Sequence, residues 1–311
     1  MRKVIIWGIG KDYELSLNQI LFECMKGNIS VQALVCRKQD RYCSRKDGFE
    51  VITKEEIVPE SFDYVIIMPS LYFDTICEEA IQCGIKKRQI IDGRILHIPL
   101  FDFSQYAALI ENPVTILSDD CWSGFAYNYL RLPFTTPLIN IWWSCEEYMK
   151  FIQDPLFYLS TELQMVEDGD LRKCAAPTGM LGNSEKNVKC RFVHAANFEE
   201  AKKIWDKRKE RINPNNLFVK MGFSDGYISN TEKQKAMEIF ETVPYRKILF
   251  YYGETKVREL FKTERFVVQQ MSSKIVTTFN YNDYCRTNSS YDLNLLSLFT
   301  GKSEYLRYGE D

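Results

Sequence analysis

The sequence lacks any apolar run long enough to cross a membrane. A spanning helix needs about 18 to 20 consecutive apolar residues, and the nearest candidate, residues 137–143, is short and contains Asn140. The apolar residues 4–7 end at Gly8, too early for the core of a secretory signal peptide. We therefore expect a cytoplasmic protein with no membrane insertion.

Groupings of metal ligands are also scarce. The chain has two histidines and ten cysteines, and no Cys-x-x-Cys pair occurs. A structural zinc ion needs four such ligands close together, so we predict no structural zinc site and assign no metal ligands. Because the cytoplasm is reducing, we expect the cysteines to remain thiols.

An excess of one charge is absent, since 40 Lys and Arg residues face 42 Asp and Glu residues, a net charge of −2. Such a chain has no overall field that draws it to nucleic acid, so we expect small-molecule partners. Residues 202–211 are basic but alternate with acids at helical spacing, which is typical of a solvated helix face. Trp205 lies on the opposite, apolar stripe of this helix and is predicted to be a core residue.

The sequence specifies neither the cofactor nor the oligomeric state.

Strand-like and helix-like segments alternate along the chain. Residues 4–7 form an apolar run that ends at Gly8-Ile9-Gly10, and a helical pattern and further strands complete a first domain over residues 1–103. The alternation of strands and helices begins again after Pro113 and defines a second domain over residues 112–311. Its strands are predicted at 114–117, 138–143, 188–193, 217–221, 248–252 and 266–269. The alternation predicts an α/β protein with two Rossmann-like domains and mostly parallel sheets.

The glycine turn after the first strand is a candidate nucleotide site, because glycines let backbone amides approach a phosphate at a helix N-terminus. We assign cofactor binding to Gly8, Gly10, Arg37 and Ser70. The dinucleotide fingerprint is incomplete, since Tyr13 stands at the third glycine position and no acidic residue ends the second strand. The alternatives are a nucleotide or nucleotide-sugar, NAD(P) with Arg37 near a ribose phosphate, and a purely structural turn.

The first domain also contains two distinctive runs, VIIWGIGK and FDYVIIMPSLYFDTICEEAIQCGI. They are similar to small Rossmann-like domains that accompany bacterial sugar-modifying enzymes, some of which bind nucleotide-sugars. The resemblance implies a Rossmann-like fold for this domain more directly than it implies a nucleotide-sugar ligand.

A second candidate site follows the strand that opens the second domain. The segment SDDCWSG, residues 118–124, places Asp119 and Asp120 at the predicted carboxyl end of that strand. Ligand crevices of doubly wound sheets lie beyond such ends, so the two carboxylates are candidates for a base or for metal binding. The alternative is that one of them only caps the helix that begins near Trp122.

His194 and Asp225 complete the predicted catalytic set, because each follows a predicted strand. Histidine suits acid–base work because its charge changes near neutral pH. Either Asp120 or His194 would then be the base that activates a hydroxyl. We expect four side chains to cluster at one edge of the sheet: Asp119, Asp120, His194 and Asp225.

Two weaker patterns have ordinary alternatives. Cys190 lies four residues before His194, which permits a Cys–His pair, although both residues could simply be packed. Asp168-Gly169-Asp170 has the aspartate spacing with which many glycosyltransferases hold a divalent ion, but an acidic turn has the same composition.

Residues 112–252 contain four characteristic runs: SDDCW, FTTPLINIWWS, EEAKKIWDKRKERINPNNLFVKM and VPYRKILFYY. Together they resemble the bacterial family known as domain of unknown function 1919. Its members are often labelled exopolysaccharide-biosynthesis proteins, which implies a loose association with surface glycans. The resemblance supplies no catalytic residues.

Taken together, these features predict a transferase or related enzyme that acts on a nucleotide-sugar or glycan intermediate in surface polysaccharide biosynthesis. One alternative is a non-catalytic partner that senses a nucleotide-sugar or docks another enzyme. A second alternative is an NAD(P)-dependent oxidoreductase, for which the glycine turn is the main argument.

We predict that no disulfide links any of the ten cysteines, because a cytoplasmic chain is kept reduced. Mass spectrometry of protein alkylated without prior reduction should show every thiol modified. A stoichiometric bridge would contradict both this prediction and the expected compartment.

Overall fold

A computed structural model describes residues 1–38, 42–166, 176–224, 229–252, 267–271 and 293–302. The chain divides into two compact units. The first comprises Met1–Glu111 and a C-terminal segment that begins at Leu296, and the second comprises chiefly Asn112–Leu295. Both units combine helices with sheets, and most of the strand pairs in the described part of the chain are parallel, which confirms the predicted α/β class.

The first unit is built on a six-stranded sheet. Its strands are β1 (Arg2–Trp7), β2 (Ile29–Cys36), β3 (Arg45–Lys46), β4 (Phe49–Thr53), β5 (Tyr64–Ile67) and β6 (Ile90–Asp92). Their order is β3-β4-β2-β1-β5-β6, and every pair is parallel except β3 with β4. Its helices are α1 (Lys11–Met25), α2 (Phe73–Gln82) and α3 (Phe103–Glu111).

The β-branched and apolar residues of the central strands explain why this sheet forms. Ile5, Val35, Val65 and Ile67 are buried in one apolar cluster with residues of α2. Parallel strands covered on both faces read as continuous apolar runs, as residues 4–7 and 64–67 do. The chain moves from β1 outward to β2 on one side and later places β5 on the other side, so the strand order reverses between β1 and β5.

The second unit contains two separate four-stranded sheets. One is parallel, with β7 (Thr115–Ser118), β12 (Leu217–Ser224), β13 (Arg246–Tyr252) and β14 (Val267–Met271) in that order. The other is antiparallel, with β8 (Ile141–Trp142), β11 (Asn187–Phe192), β10 (Thr178–Gly182) and β9 (Gln164–Val166) in that order. Five helices complete the described part of the unit: α4 (Trp122–Tyr129), α5 (Cys145–Gln153), α6 (Pro155–Ser160), α7 (Phe198–Lys209) and α8 (Asn230–Thr242).

The antiparallel sheet corrects the expectation that the strand over residues 188–193 runs in a doubly wound sheet. Strand β11 follows β10 after a turn in which Asn183 N–H donates to the Lys186 carbonyl at 2.9 Å. A tight turn of this kind joins only antiparallel neighbours, since parallel strands need a crossover of a dozen residues or more. Gly182 enters the turn with φ of +110°, which favours glycine.

Side-chain caps fix the starts of several helices. The Asn197 side chain accepts a hydrogen bond from Glu200 N–H at the start of α7, which confirms the predicted N-cap. Ser144 caps α5 in the same way through Glu147 N–H. These caps begin the helices that pack on the core of the second unit.

A short C-terminal helix, α9 (Leu295–Thr300), groups with the first unit from Leu296 onward, although this part of the chain was predicted to belong to the second domain, residues 112–311. The hydroxyls of Ser297 and Thr300 donate to Gln105 Oε1 on α3 at 3.1 and 3.2 Å. Burial of the leucines of α9 and these hydrogen bonds explain the association.

Two expectations from the sequence concern disulfides and membrane-spanning helices. The eight cysteines among the described residues form no disulfide with one another, whereas Cys174 and Cys285 lie outside those residues. In the same part of the chain, no helix has the length and apolarity that a membrane crossing requires.

Trp205 is a core residue, as predicted. Its side chain is fully buried, and its ring packs edge-on against Phe192 with 6.1 Å between ring centroids. Replacing Trp205 by Ala should reduce the free energy of unfolding by about 3 to 5 kcal/mol, because a large cavity remains. Urea denaturation measures the loss. Trp142→Ala is the control, since Trp142 is half-buried and should cost clearly less; equal losses would contradict the assignment.

Candidate functional site

The reversal of strand order in the first unit creates a crevice beyond the carboxyl ends of β1 and β5, where doubly wound sheets bind ligands. A small cavity of about 180 Å³ lies there, and Gly10 and Ser70 are among its lining residues. Gly8 turns the chain beside it with φ of +100°, and a Cβ at that position would overlap the Pro69 ring. The backbone turn by itself therefore requires glycine at position 8.

In this crevice, Asp12 occupies hydrogen-bond donors that a phosphate would need. Asp12 lies in the first turn of α1, and its Oδ2 accepts hydrogen bonds from Ser70 N–H at 2.9 Å and Ser70 Oγ at 3.1 Å. Glu14 lies in the same turn but is paired with Lys46 at 3.1 Å, and Lys11 lines the same cavity. Asp12 is therefore the acidic group that would compete with a phosphate for donors at this helix N-terminus.

Arg37, the fourth predicted cofactor residue, is exposed directly after β2 and does not line this cavity. The structure thus brings together Gly8, Gly10 and Ser70 but not Arg37. Nucleotide binding at the glycine turn stays a prediction.

The second unit has a buried ionic cluster at the end of β7. Asp119 and Asp120 follow this strand, and Lys220 comes from the neighbouring strand β12, where it pairs in register with Ser118. The Lys220 ammonium lies 2.9 Å from Asp119 Oδ1 and 2.6 Å from Asp120 Oδ2. The side chain of Lys220 is 0% exposed.

Lys220 was not recognised from the sequence. Its signal was a lone lysine within the apolar run LFVKMGF of a predicted buried strand. Lysine is almost never fully buried unless it is paired. That rule predicts partners for Lys220 but does not say which carboxylates they are.

The two aspartates also hold the surrounding backbone. Asp119 Oδ2 accepts a hydrogen bond from Gly222 N–H at 2.9 Å. Asp120 Oδ1 accepts hydrogen bonds from Ser118 Oγ and from Trp122 N–H, both at 2.9 Å. Asp120 therefore satisfies a donor at the start of α4, although Cys121, and neither aspartate, occupies the N-cap position, and it pairs with Lys220 as well.

The cluster keeps a net negative charge and some contact with solvent. Two ionised carboxylates face one ammonium, and the side chains of Asp119 and Asp120 remain 17% and 23% exposed. Burial raises the pKa of Asp119 above the ordinary carboxyl range, because desolvation together with the charge of Asp120 outweighs the attraction of Lys220. Asp119 is therefore a stronger base than an ordinary carboxylate.

A layer of aromatic side chains supports the cluster from the core. The Tyr148 hydroxyl lies 2.8 Å from the carbonyl oxygens of both Leu117 and Lys220, so it donates a shared hydrogen bond to β7 and β12. The Lys220 ammonium stands 5.4 Å from the centroid of the Phe250 ring, within cation–π range. These contacts fix the lysine where the two carboxylates meet.

His194 lies beside this cluster and not on the parallel sheet. It is exposed in the turn after β11, and its Nε2 is 4.0 Å from Cys121 Sγ. Among the described residues this is its one polar side-chain contact, so the predicted pairing of His194 with Asp119 or Asp120 is not formed. The strand that carries His194 belongs to the antiparallel sheet, which explains the different position.

Neither neighbouring thiol is suited to nucleophilic attack. Burial, then the charge of Asp120, raises the pKa of Cys121 to about 11, so the thiol is protonated at neutral pH. Cys190 is buried in the core of the second unit, and burial raises its pKa too. The alternative of ordinary packing therefore describes Cys190.

The remaining predicted residues lie outside the described part of the chain. These are Asp225 of the catalytic set and the Asp168-Gly169-Asp170 motif. Where side chains are described, no three His, Cys, Asp or Glu residues are grouped so that they could hold a metal ion.

Comparison with known proteins places the chain in a family. The family described as domain of unknown function 1919 matches residues 93–299, more than half of the chain, so the protein belongs to this family. Residues 1–91 match the domain described as "C2185-like, N-terminal". An "Uncharacterized protein" of Haemophilus influenzae is 29% identical over 143 residues, which cover 46% of this chain and 63% of that protein. The chain thus matches less than two thirds of that relative's length.

Lys220→Met should reduce the free energy of unfolding by about 3 to 5 kcal/mol at pH 7, because two buried carboxylates lose their counter-ion. Urea denaturation measures the difference. Without the ammonium, the folded-state pKa of Asp119 rises further above the unfolded value, so the penalty is full above the raised pKa. It should shrink as the pH falls toward the unfolded value of about 3.9.

The triple variant Lys220→Met, Asp119→Asn, Asp120→Asn is the matched control for this prediction. It removes the repelling charges together with the ammonium, so it should regain part of the lost stability. An equal or greater loss in the triple variant, or a loss that does not depend on pH, would show that Lys220 acts through packing and not through charge.

Proposed function

We propose that the protein is a transferase or related enzyme that acts on a nucleotide-sugar or glycan intermediate, and that the cluster of Asp119, Asp120 and Lys220 forms part of its polar site. The observation that carries this proposal is the incomplete neutralisation of the two carboxylates. Both remain partly exposed beside a lysine that is fully buried. One carboxylate would neutralise the ammonium, so the charge of the second one remains available to a ligand.

The negative charge of the cluster indicates which chemical group of a substrate it binds. A net negative site repels the phosphates of a donor but accepts hydrogen bonds from hydroxyl groups, which sugars carry in number. Within a nucleotide-sugar or glycan reaction, the cluster therefore suits the acceptor hydroxyl. The family's frequent label as exopolysaccharide-biosynthesis proteins agrees with a glycan substrate.

In this proposal Asp119 is the base. Its pKa is raised toward neutral pH. A general base with such a pKa is still ionised at the working pH and also binds a proton strongly. Asp119 takes the proton of the acceptor hydroxyl, the hydroxyl oxygen bonds to the anomeric carbon, and the carbon–oxygen bond to the nucleoside diphosphate breaks, its electron pair leaving with the diphosphate. Asp120, which holds the start of α4, positions Lys220 and the neighbouring backbone.

A non-catalytic sensor or docking protein is the second candidate. The commitment of Asp120 to Ser118, Trp122 and Lys220 favours it, because such a carboxylate serves structure first. An NAD(P)-dependent oxidoreductase has less support, since Asp12 lies at the helix terminus that would bind the pyrophosphate and already accepts the hydrogen bonds of Ser70.

A thermal-shift and turnover screen tests the proposal. The wild-type protein should be stabilised by one member of a panel of uridine, guanosine and cytidine diphospho-sugars, by about 2.7 kcal/mol at a hundred times the dissociation constant. It should also release the nucleoside diphosphate when an acceptor sugar is present. Release should fall as the pH drops through the raised pKa of Asp119, because the protonated carboxyl cannot accept a proton.

Asp119→Asn should abolish this release, whereas Asp206→Asn, a change of an exposed carboxylate on α7, should leave it intact. Stabilisation without any release in the wild type would favour the sensor. No stabilisation by any of the sugars, or full turnover by Asp119→Asn, would refute the proposal.

A further inference from the structure

The first unit contains a larger cavity at the edge of the sheet opposite the glycine turn. Its volume is about 410 Å³, within the range of roughly 300 to 1,000 Å³ that is usual for small-molecule sites. The amino ends of β1 and β5 contribute Arg2 and Tyr64, and the end of α3 contributes Glu111. Phe62 and Ile110 add apolar surface to the lining.

Two of the charged groups in this lining neutralise each other. Arg2 Nη2 lies 2.6 Å from Glu111 Oε1 and 2.7 Å from Glu111 Oε2. The Tyr64 hydroxyl donates to Glu111 Oε1 at 3.0 Å. The Glu111 carboxylate is therefore fully engaged and leaves little attraction for a ligand cation.

The remaining charges leave an excess of positive charge. Lys86 and Arg88 line the cavity and are exposed, and within the described ranges neither forms an ion pair. The remaining acid in the lining is Asp63, whose Oδ2 already accepts a hydrogen bond from Lys3 N–H at 2.8 Å. Two cations thus face a single carboxylate.

The turn that carries the two cations is fixed to the sheet. Gln89 Oε1 accepts a hydrogen bond from Lys86 N–H at 3.1 Å, and Gln89 Nε2 donates to the Asp63 carbonyl at 3.2 Å. Strand β6 begins at the next residue and pairs with β5. The backbone at Lys86 and Arg88 therefore keeps its place beside the cavity, which lowers the ordering cost of binding there.

We propose that this cavity binds a small organic anion whose carboxylate or phosphate lies between Lys86 and Arg88. A guanidinium holds either group through two parallel hydrogen bonds, and the ammonium adds a point charge. Phe62 and Ile110 contact the carbon part of the ligand. At the glycine turn, by contrast, Asp12 already accepts both hydrogen bonds that Ser70 donates.

Titration of the full chain with inorganic phosphate and with succinate, at constant ionic strength in a chloride background, tests the site. Isothermal calorimetry should show saturable binding of at least one of the two, and the tighter one identifies the preferred group. Arg88→Ala and Lys86→Ala should each weaken binding by about tenfold or more, since each removes a charge-assisted hydrogen bond.

Lys87→Ala is the matched control, because Lys87 lies in the same turn and carries the same charge but does not line the cavity. It should leave the affinity within about twofold of wild type, and unchanged melting temperatures should confirm that all variants fold. Absence of saturable binding of both anions would overturn the proposal. So would a loss in Lys87→Ala equal to that in Arg88→Ala, since diffuse surface charge would then explain the binding.

Discussion

The contact between the Lys220 ammonium and the carboxylates of Asp119 and Asp120 is the constraint on which the second unit depends. Burying an ammonium costs several kcal/mol unless close partners replace its hydration, and here two carboxylates do so at 2.9 and 2.6 Å. The lysine belongs to β12 and the aspartates follow β7, so the contact requires the two strands to pair in one register. Placing Lys220 one position away would turn its side chain to the other face of the sheet.

The other features of this site follow from that register. Tyr148 reaches carbonyl groups of both strands, and Gly222 N–H completes the hydrogen bonding of Asp119. Asp120 extends the same network to the start of α4. A carboxylate that is held by a buried lysine, yet still touches solvent, combines a fixed position with a raised pKa. That combination suits proton transfer better than an exposed, fully hydrated carboxylate does.

The glycine turn of the first unit has the shape of a dinucleotide-binding turn but different surroundings. Gly8 is explained by the backbone conformation and by the closeness of Pro69, with no ligand needed. The adjoining helix begins with acidic residues that complement its own dipole, whereas a dinucleotide site leaves that dipole for the phosphate. At the opposite edge of the sheet, Lys86 and Arg88 line the larger cavity, and neither forms an ion pair among the described residues.

By itself the sequence determined the α/β class, the parallel sheet of the first unit, the capped start of α7 and the burial of Trp205, because each depends on local periodicity and side-chain chemistry. It also located Asp119 and Asp120 at the end of a strand. Only the tertiary structure decided that Lys220 is their partner, about a hundred residues away in sequence, and that His194 lies on an antiparallel sheet. Such pairings depend on which strands become neighbours, and the pattern within one strand is compatible with several neighbours. The association of α9 with the first unit has the same cause.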